Sequence, residues 1–133
     1  MKIVFAILVV AVSMVAISSG AYAHHGNVAY DMSKLVTVKG TVTEYYFTNP
    51  HVQLLIAVKK EDGSVEKWRG ELNSPNIVAR VVGWNSKTFK PGDELVLLGN
   101  RAKDGTNVLR LDKIQQPDGT ELYPKGGNGV SRF

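Results

Sequence analysis

Short segments of alternating apolar residues, separated by tight-turn signals, make up most of this 133-residue chain. Asp62-Gly63, Asp104-Gly105 and Asp118-Gly119 are strong hairpin signals, and Pro91-Gly92 marks a further turn. This pattern predicts strands joined by tight turns. It contains no strand–helix–strand unit long enough for the crossover of a parallel sheet.

Five strands and one short helix are predicted from the periodicity. The predicted strands are Leu35–Phe47, His51–Lys60, Val65–Leu72, Glu94–Ala102 and Asn107–Gln115, and Glu121–Tyr123 is a candidate for a further short strand. Between the third and fourth strands, Ser74 suits an N-cap, Pro75 the first helical position and Gly83 a C-terminal stop. These signals predict a helix of about nine residues, and we expect Trp84 to cover its end.

The order of these elements predicts an all-β domain with one short helix. Five strands with a helix between strands 3 and 4 match a small OB-fold-like five-stranded barrel. A partly open sheet or another small β-barrel is the alternative. Gly40 interrupts the long first strand, and we expect a bulge or sharp bend there, as a closed barrel needs at a corner.

The start of the chain has the features of a bacterial secretory signal peptide. Lys2 supplies a positive charge, residues 3–17 form an apolar run, and Ala21-Tyr22-Ala23 is a small-x-small cleavage site. The run is shorter than the ~20 residues that span a bilayer as a helix, which makes a retained anchor the weaker alternative. We therefore expect a periplasmic or secreted protein with a signal peptide (1–23), an N-terminal arm (24–34), the barrel domain (35–124) and a flexible tail (125–133).

Composition and missing motifs exclude several classes of function. The absence of cysteine excludes disulfides, zinc fingers, iron–sulfur clusters and thiol nucleophiles. The net charge is +4, but the basic residues are scattered among acidic ones, which argues against nucleic acid as a partner. No catalytic motif or acid–base pair is recognisable. We therefore predict a protein that is not an enzyme and has no catalytic residues.

The three histidines, His24, His25 and His51, are the candidate metal ligands. Cleavage after Ala23 would leave the amine of His24 beside its own imidazole, and cleavage after Ala21 would make His24 the third residue. Both arrangements can bind Cu(II), and a second imidazole from His25 or His51 would complete a nitrogen-rich site.

The position of His51 limits this site. It follows the far end of the long first strand, so we expect the arm to reach His51 only by doubling back along that strand. The alternative is that the two histidines near the predicted cleavage site have no function and that local hydrogen bonds hold His51.

Aromatic residues suggest a second, weaker candidate site. Tyr45 and Phe47 share one face of the first predicted strand and Tyr46 takes the other, while Trp68 lies on the third strand. In an OB-fold, aromatic side chains on the barrel face can stack bases or sugars, so Tyr45, Phe47 and Trp68 form a candidate ligand-binding face. The alternative is that one face is core and the other an ordinary strand surface.

Several of these residues together resemble domain of unknown function 6152, a family of small exported bacterial proteins. The resemblance lies in an ordered set of motifs: His24-His25, Val38-Lys39-Gly40-Thr41-Val42, Thr48-Asn49-Pro50-His51-Val52, Ser74-Pro75-Asn76, Gly83-Trp84, Lys90-Pro91-Gly92-Asp93 and Arg101-Ala102-Lys103-Asp104-Gly105. Members usually continue His-His with Ser and an aromatic residue, whereas Gly26-Asn27-Val28 follows here. The resemblance implies export and a small β-rich domain, and it implies no established activity.

Together these features predict an exported β-barrel binding module with Cu(II), or a similar divalent metal, as the preferred ligand. The alternatives are an accessory protein that binds another exported protein through its barrel, or an OB-type ligand-binding module without metal. Copper is the one cofactor that the sequence suggests.

Overall fold

The computed structural model describes residues 28–124. Its elements are β1 (Val36–Tyr46), β2 (Gln53–Lys59), β3 (Val65–Glu71), α1 (Pro75–Val82), β4 (Glu94–Arg101), β5 (Val108–Gln115) and β6 (Glu121–Leu122). Each predicted element is present, with its ends moved by no more than a few residues. The predicted signal peptide (1–23), the first part of the arm (24–27) and the predicted tail (125–133) lie outside the described residues.

A parallel pairing between β3 and β5 closes the sheet into a barrel. The strand order is β3-β2-β1-β4-β5-β6, and β3 also pairs with β5. That pairing is parallel and short, from Arg69 opposite Val108 to Glu71 opposite Arg110. All other neighbouring strands are antiparallel. A barrel of this order with a helix between β3 and β4 is an OB-fold, so the predicted fold is confirmed.

The first strand pairs with a different neighbour along each of its two halves. Its first half pairs with β4 as far as Thr41, and its second half pairs with β2 from Thr41 onward. The partners therefore change beside Gly40, as the predicted corner requires. The bulge itself lies further along, because the register with β2 shifts between Val42 and Glu44. Gly40 is instead a point of close approach, where a Cβ atom would lie 2.6 Å from the carbonyl oxygen of Ala57.

The core fills the barrel from the inward side of every long strand. Its fully buried members include Leu54 and Ile56 of β2, Leu97 of β4 and Leu109 of β5. The alternation of these residues with exposed ones is the period-two pattern of the sequence.

The helix packs on this core and ends as its sequence predicts. Val78 is fully buried, and Gly83 takes the left-handed conformation with its N–H bonded to the carbonyl oxygen of Ala79. Ser74 occupies the N-cap position without a side-chain hydrogen bond. Trp84 is buried directly after the helix and packs edge-to-face on Phe89, with ring centroids 5.0 Å apart. Within residues 28–124, no helix is long and apolar enough to cross a membrane.

The close contact at Gly40 yields a test of the barrel corner. We expect Gly40→Ala to lower the free energy of unfolding by ~1–3 kcal/mol, because the new methyl group forces the backbones of β1 and β2 apart. Urea denaturation followed by tryptophan fluorescence would measure the change. Thr37→Ala, at an exposed position of the same strand, is the control and should stay within ~0.5 kcal/mol. Equal stability of the two variants would contradict the assigned close approach.

Candidate functional site

Residues 28–34 of the predicted arm lie against one end of the barrel. Tyr30 forms a bridge with Ala102. The N–H of Asp31 bonds to the carbonyl oxygen of Arg101 at 2.9 Å. The buried amide of Asn100 donates to the carbonyl oxygens of Asp31 and Lys34, at 3.0 and 2.8 Å. The chain entering β1 is therefore fixed at the β4–β5 end of the barrel.

Tyr30 also anchors this segment to the third strand. Its side chain is 9% exposed, and its hydroxyl donates to a carboxylate oxygen of Glu71 at 2.5 Å. The other carboxylate oxygen of Glu71 accepts from Nε of Arg69 at 3.2 Å. Burial, followed by this bond to Glu71, raises the pKa of Tyr30 far above its usual value. The phenol is therefore a neutral hydrogen-bond donor across the working pH range.

His51 is exposed and lies next to the end of β3. It follows the cis peptide bond between Asn49 and Pro50. The next residue, Val52, exchanges backbone hydrogen bonds with Leu72 and Asn73, of 2.9 and 3.1 Å.

Barrel closure changes the expected relation between the arm and His51. Glu71, which holds Tyr30, stands directly opposite Gln53 in the β2–β3 pairing. Gln53 is only two residues from His51. The anchor of the arm thus lies across one strand from the start of β2. Tyr30 therefore approaches the start of β2 across the β3–β5 seam, whereas the sequence predicted an approach along the first strand.

The described part of the chain does not by itself form a metal site. Between residues 28 and 124, no group of three or more histidine, aspartate or glutamate side chains could hold a metal ion. His24 and His25 lie outside this range. A histidine site therefore needs at least one of them, and copper binding stays a prediction.

The aromatic residues predicted as a ligand-binding face point into the barrel. Trp68 is 8% exposed and belongs to the core, and the guanidinium of Arg101 covers its ring at 5.1 Å from the centroid. Tyr45 and Phe47 are half-buried and pack on the core. The ring of Tyr45 lies edge-on to Phe89, with centroids 5.3 Å apart. These rings therefore contribute to packing, Tyr45 and Phe47 keep part of their surface open, and ligand stacking on them stays a prediction.

The hydroxyl of Tyr45 is buried without a hydrogen-bond partner among the described residues. Burial raises the pKa of Tyr45 to about 12. The side chain of Thr88 lies near the hydroxyl without the geometry of a full hydrogen bond, and it opposes part of this rise. A buried hydroxyl without a partner costs stability. Tyr45 therefore contributes packing rather than polar recognition.

Tyr46 is the aromatic residue that the sequence reasoning passed over. Its side chain is 44% exposed on the outward side of the sheet, and its hydroxyl donates to Glu44. The register places it opposite Gln53, which stands opposite Glu71. Strand alternation in the Tyr45-Tyr46-Phe47 run could have identified Tyr46 as outward once its neighbours were assigned to the core.

Comparisons with known proteins give a family and a distant likeness of fold. A family model described as "Family of unknown function (DUF6152)" matches residues 11–109. No curated protein matches the chain. Among solved structures, the mitochondrial single-stranded DNA-binding protein Rim1 of S. cerevisiae is similar over 63% of this chain and 93% of its own, with 12% identity and a TM-score of 0.48. The assignment of the barrel rests on its strand order rather than on this likeness.

The bond between Tyr30 and Glu71 can be measured directly. We expect Tyr30→Phe to lower the free energy of unfolding by ~1–3 kcal/mol, because a buried bond to a charged acceptor is lost. In a double-mutant cycle with Glu71→Gln, the two substitutions should be coupled by ~0.5–3 kcal/mol. Tyr46→Phe, which removes an exposed hydroxyl bonded to Glu44, is the matched control. If Tyr30→Phe is as mild as Tyr46→Phe, the arm is not anchored as described.

Removing the buried hydroxyl of Tyr45 should have the opposite effect on the free energy of unfolding. We expect Tyr45→Phe to keep or raise stability near neutral pH, because it removes an unpartnered polar group whose burial costs ~1–3 kcal/mol. Urea denaturation at pH 7 would measure this. A clear loss of stability would contradict the assignment and indicate that the hydroxyl is bonded.

The raised pKa of Tyr45 also predicts a pH dependence. The unfolded chain ionises this phenol near its ordinary pKa of 10.0, while the folded protein keeps it neutral up to about 12. Relative to neutral pH, the parent protein therefore loses stability as the pH rises from 10 to 12, because over this range ionisation of the phenol favours the unfolded chain. The unfolding midpoint of Tyr45→Phe should fall less steeply over this range than that of the parent protein.

Proposed function

The chain belongs to the family of unknown function DUF6152, and we propose that it is an exported, non-enzymatic β-barrel module that binds Cu(II) through its histidines. The signal-like segment that ends at Ala23 supports export to the periplasm or beyond. Cleavage there would place the amine and imidazole of His24 at the start of the mature chain. In this proposal His24 is the primary ligand and His51, rather than the alternative His25, supplies the second imidazole.

The bond between Tyr30 and Glu71 is the observation that carries this proposal. The six residues from His24 to Tyr30 can span ~20 Å when extended. From Glu71, the paired Cα atom of Gln53 is ~5 Å away, and His51 lies a further ~7 Å along the chain. Because the phenol of Tyr30 touches Glu71, the path from the Tyr30 backbone through both side chains to His51 is comparable in length to this segment, and we propose that His24 reaches His51.

The docked arm would also limit the freedom of the histidine segment. The arm is held at Tyr30 by its bond to Glu71, and at Asp31 and Lys34 by the amide of Asn100. The described residues of the arm therefore need no further ordering when a metal binds. Ordering fewer residues costs less conformational entropy, so the folded protein should bind Cu(II) more tightly than an isolated His-His peptide.

The exposed apolar residues of the arm favour a second candidate function, docking on another exported protein. Val28, Met32 and Leu35 are all at least half exposed in one short segment. Apolar residues concentrated in this way are typical of protein contact sites. A partner that co-purifies at fixed stoichiometry and is lost in a Met32→Ser/Leu35→Ser variant would support this candidate.

Copper titration of the mature protein tests the main proposal. The N-terminus is first determined by intact mass, and Cu(II) binding is then followed by calorimetry and electron paramagnetic resonance. We expect the protein to bind Cu(II) at least about tenfold more tightly than a synthetic peptide of residues 24–34, a difference of ~1.4 kcal/mol. His51→Ala should reduce its affinity to that of the peptide and remove one nitrogen from the copper spectrum.

His24→Ala and His25→Ala separate the roles of the two remaining histidines. The first should abolish tight binding, whereas the second should leave the spectrum of the folded protein unchanged. Gln53→Ala, two residues from His51, is the control for local disturbance. Affinity that is equal in protein and peptide, or unchanged by His51→Ala, would refute the proposal.

A further inference from the structure

The outward side of β1, β2 and β3 forms a continuous face whose composition is defined by the strand register. One row contains Thr41, Ala57 and Lys67; the next contains Glu44, Leu55 and Arg69; the next contains Tyr46, Gln53 and Glu71; and Lys59 stands opposite Val65 at the far end. We call this surface the outer face. Its polar groups are not spread evenly.

Cations are concentrated in one half of the outer face. Lys59, Lys67 and Arg69 are all exposed. Lys67 and Arg69 are two residues apart on one strand, ~7 Å, and Lys59 is diagonal to Lys67, ~7–8 Å away. Arg69 is paired with Glu71, whereas Lys59 and Lys67 have no ion pair within the described residues. Their positive charge is therefore available to a ligand.

The other half of the outer face combines one aromatic ring with neutral and acidic hydrogen-bonding groups. The ring of Tyr46 is held by its bond to Glu44, and Gln53 stands beside it. An exposed aromatic ring can pack on the apolar side of a sugar ring. The neighbouring amide and carboxylate can bond to the sugar hydroxyls.

We propose that the outer face binds an anionic polysaccharide, with a sugar ring on Tyr46 and acidic groups of the polymer at Lys59 and Lys67. The charge complementarity of the cationic half supplies the attraction, which depends on salt. The single exposed ring of the outer face fits a sugar polymer better than single-stranded nucleic acid. Such nucleic acid sites stack successive bases on several rings in a positive groove.

Binding of polygalacturonate oligomers of defined length tests this proposal on the mature protein. We expect saturable binding that weakens as salt is raised, and no binding of neutral dextran. Lys59→Glu/Lys67→Glu should weaken binding at least about tenfold, because it replaces attraction by repulsion. Lys87→Glu/Lys90→Glu changes net charge equally on the connection between α1 and β4, and this control should bind nearly as well as the parent protein.

Two further probes distinguish the class of polymer. Tyr46→Ala should weaken the binding of polygalacturonate by several-fold but leave that of polyglutamate unchanged. Oligothymidylate should bind more weakly than polygalacturonate at the same salt concentration. The proposal is overturned if polygalacturonate does not bind, or if the two double variants lose binding equally. It is also overturned if polyglutamate or oligothymidylate binds as tightly and Tyr46→Ala has no effect. The unfolding midpoint of each variant confirms that it is folded.

Discussion

The short parallel pairing of β3 with β5 is the constraint on which the rest of the molecule depends. Without it the strands would form an open sheet, with β3 and the part of β5 that β6 leaves uncovered as edges prone to unwanted pairing. Gly70 permits the closure because a Cβ atom there would lie 2.5 Å from Cδ1 of the buried Leu111. Three residue pairs thus close the sheet into a barrel.

Closure also decides where the chain before the barrel lies. It brings the end of β3 beside the β4–β5 end of the sheet, so that Tyr30 can reach Glu71 while its backbone pairs with Ala102. A bond across 41 residues of sequence thereby joins the entering chain to the strand opposite β2. The proposed copper function depends on this seam, because it shortens the path toward His51. A metal bound only by the folded form would in turn stabilise the barrel.

The barrel wall separates two sets of side chains with different roles. Tyr45, Phe47 and Trp68 face inward and contribute to packing, whereas Tyr46 faces outward among charged and polar neighbours. The proposed polysaccharide site uses the outward set, and the proposed copper site uses His51 together with histidines that precede the described residues. The two proposals rest on separate observations, and either can fail without the other.

The sequence by itself determined the features that depend on near neighbours. Asp-Gly turns, strand alternation and the Pro75 and Gly83 signals of the helix act over a few residues, and each was predicted close to its observed position. The tertiary structure decided the features that join distant residues. These are the β3–β5 seam, the bulge beyond Gly40, the capture of the arm by Asn100 and Tyr30, and the outward exposure of Tyr46. Each depends on which strands pair when the barrel closes, and local sequence propensity does not determine that pairing.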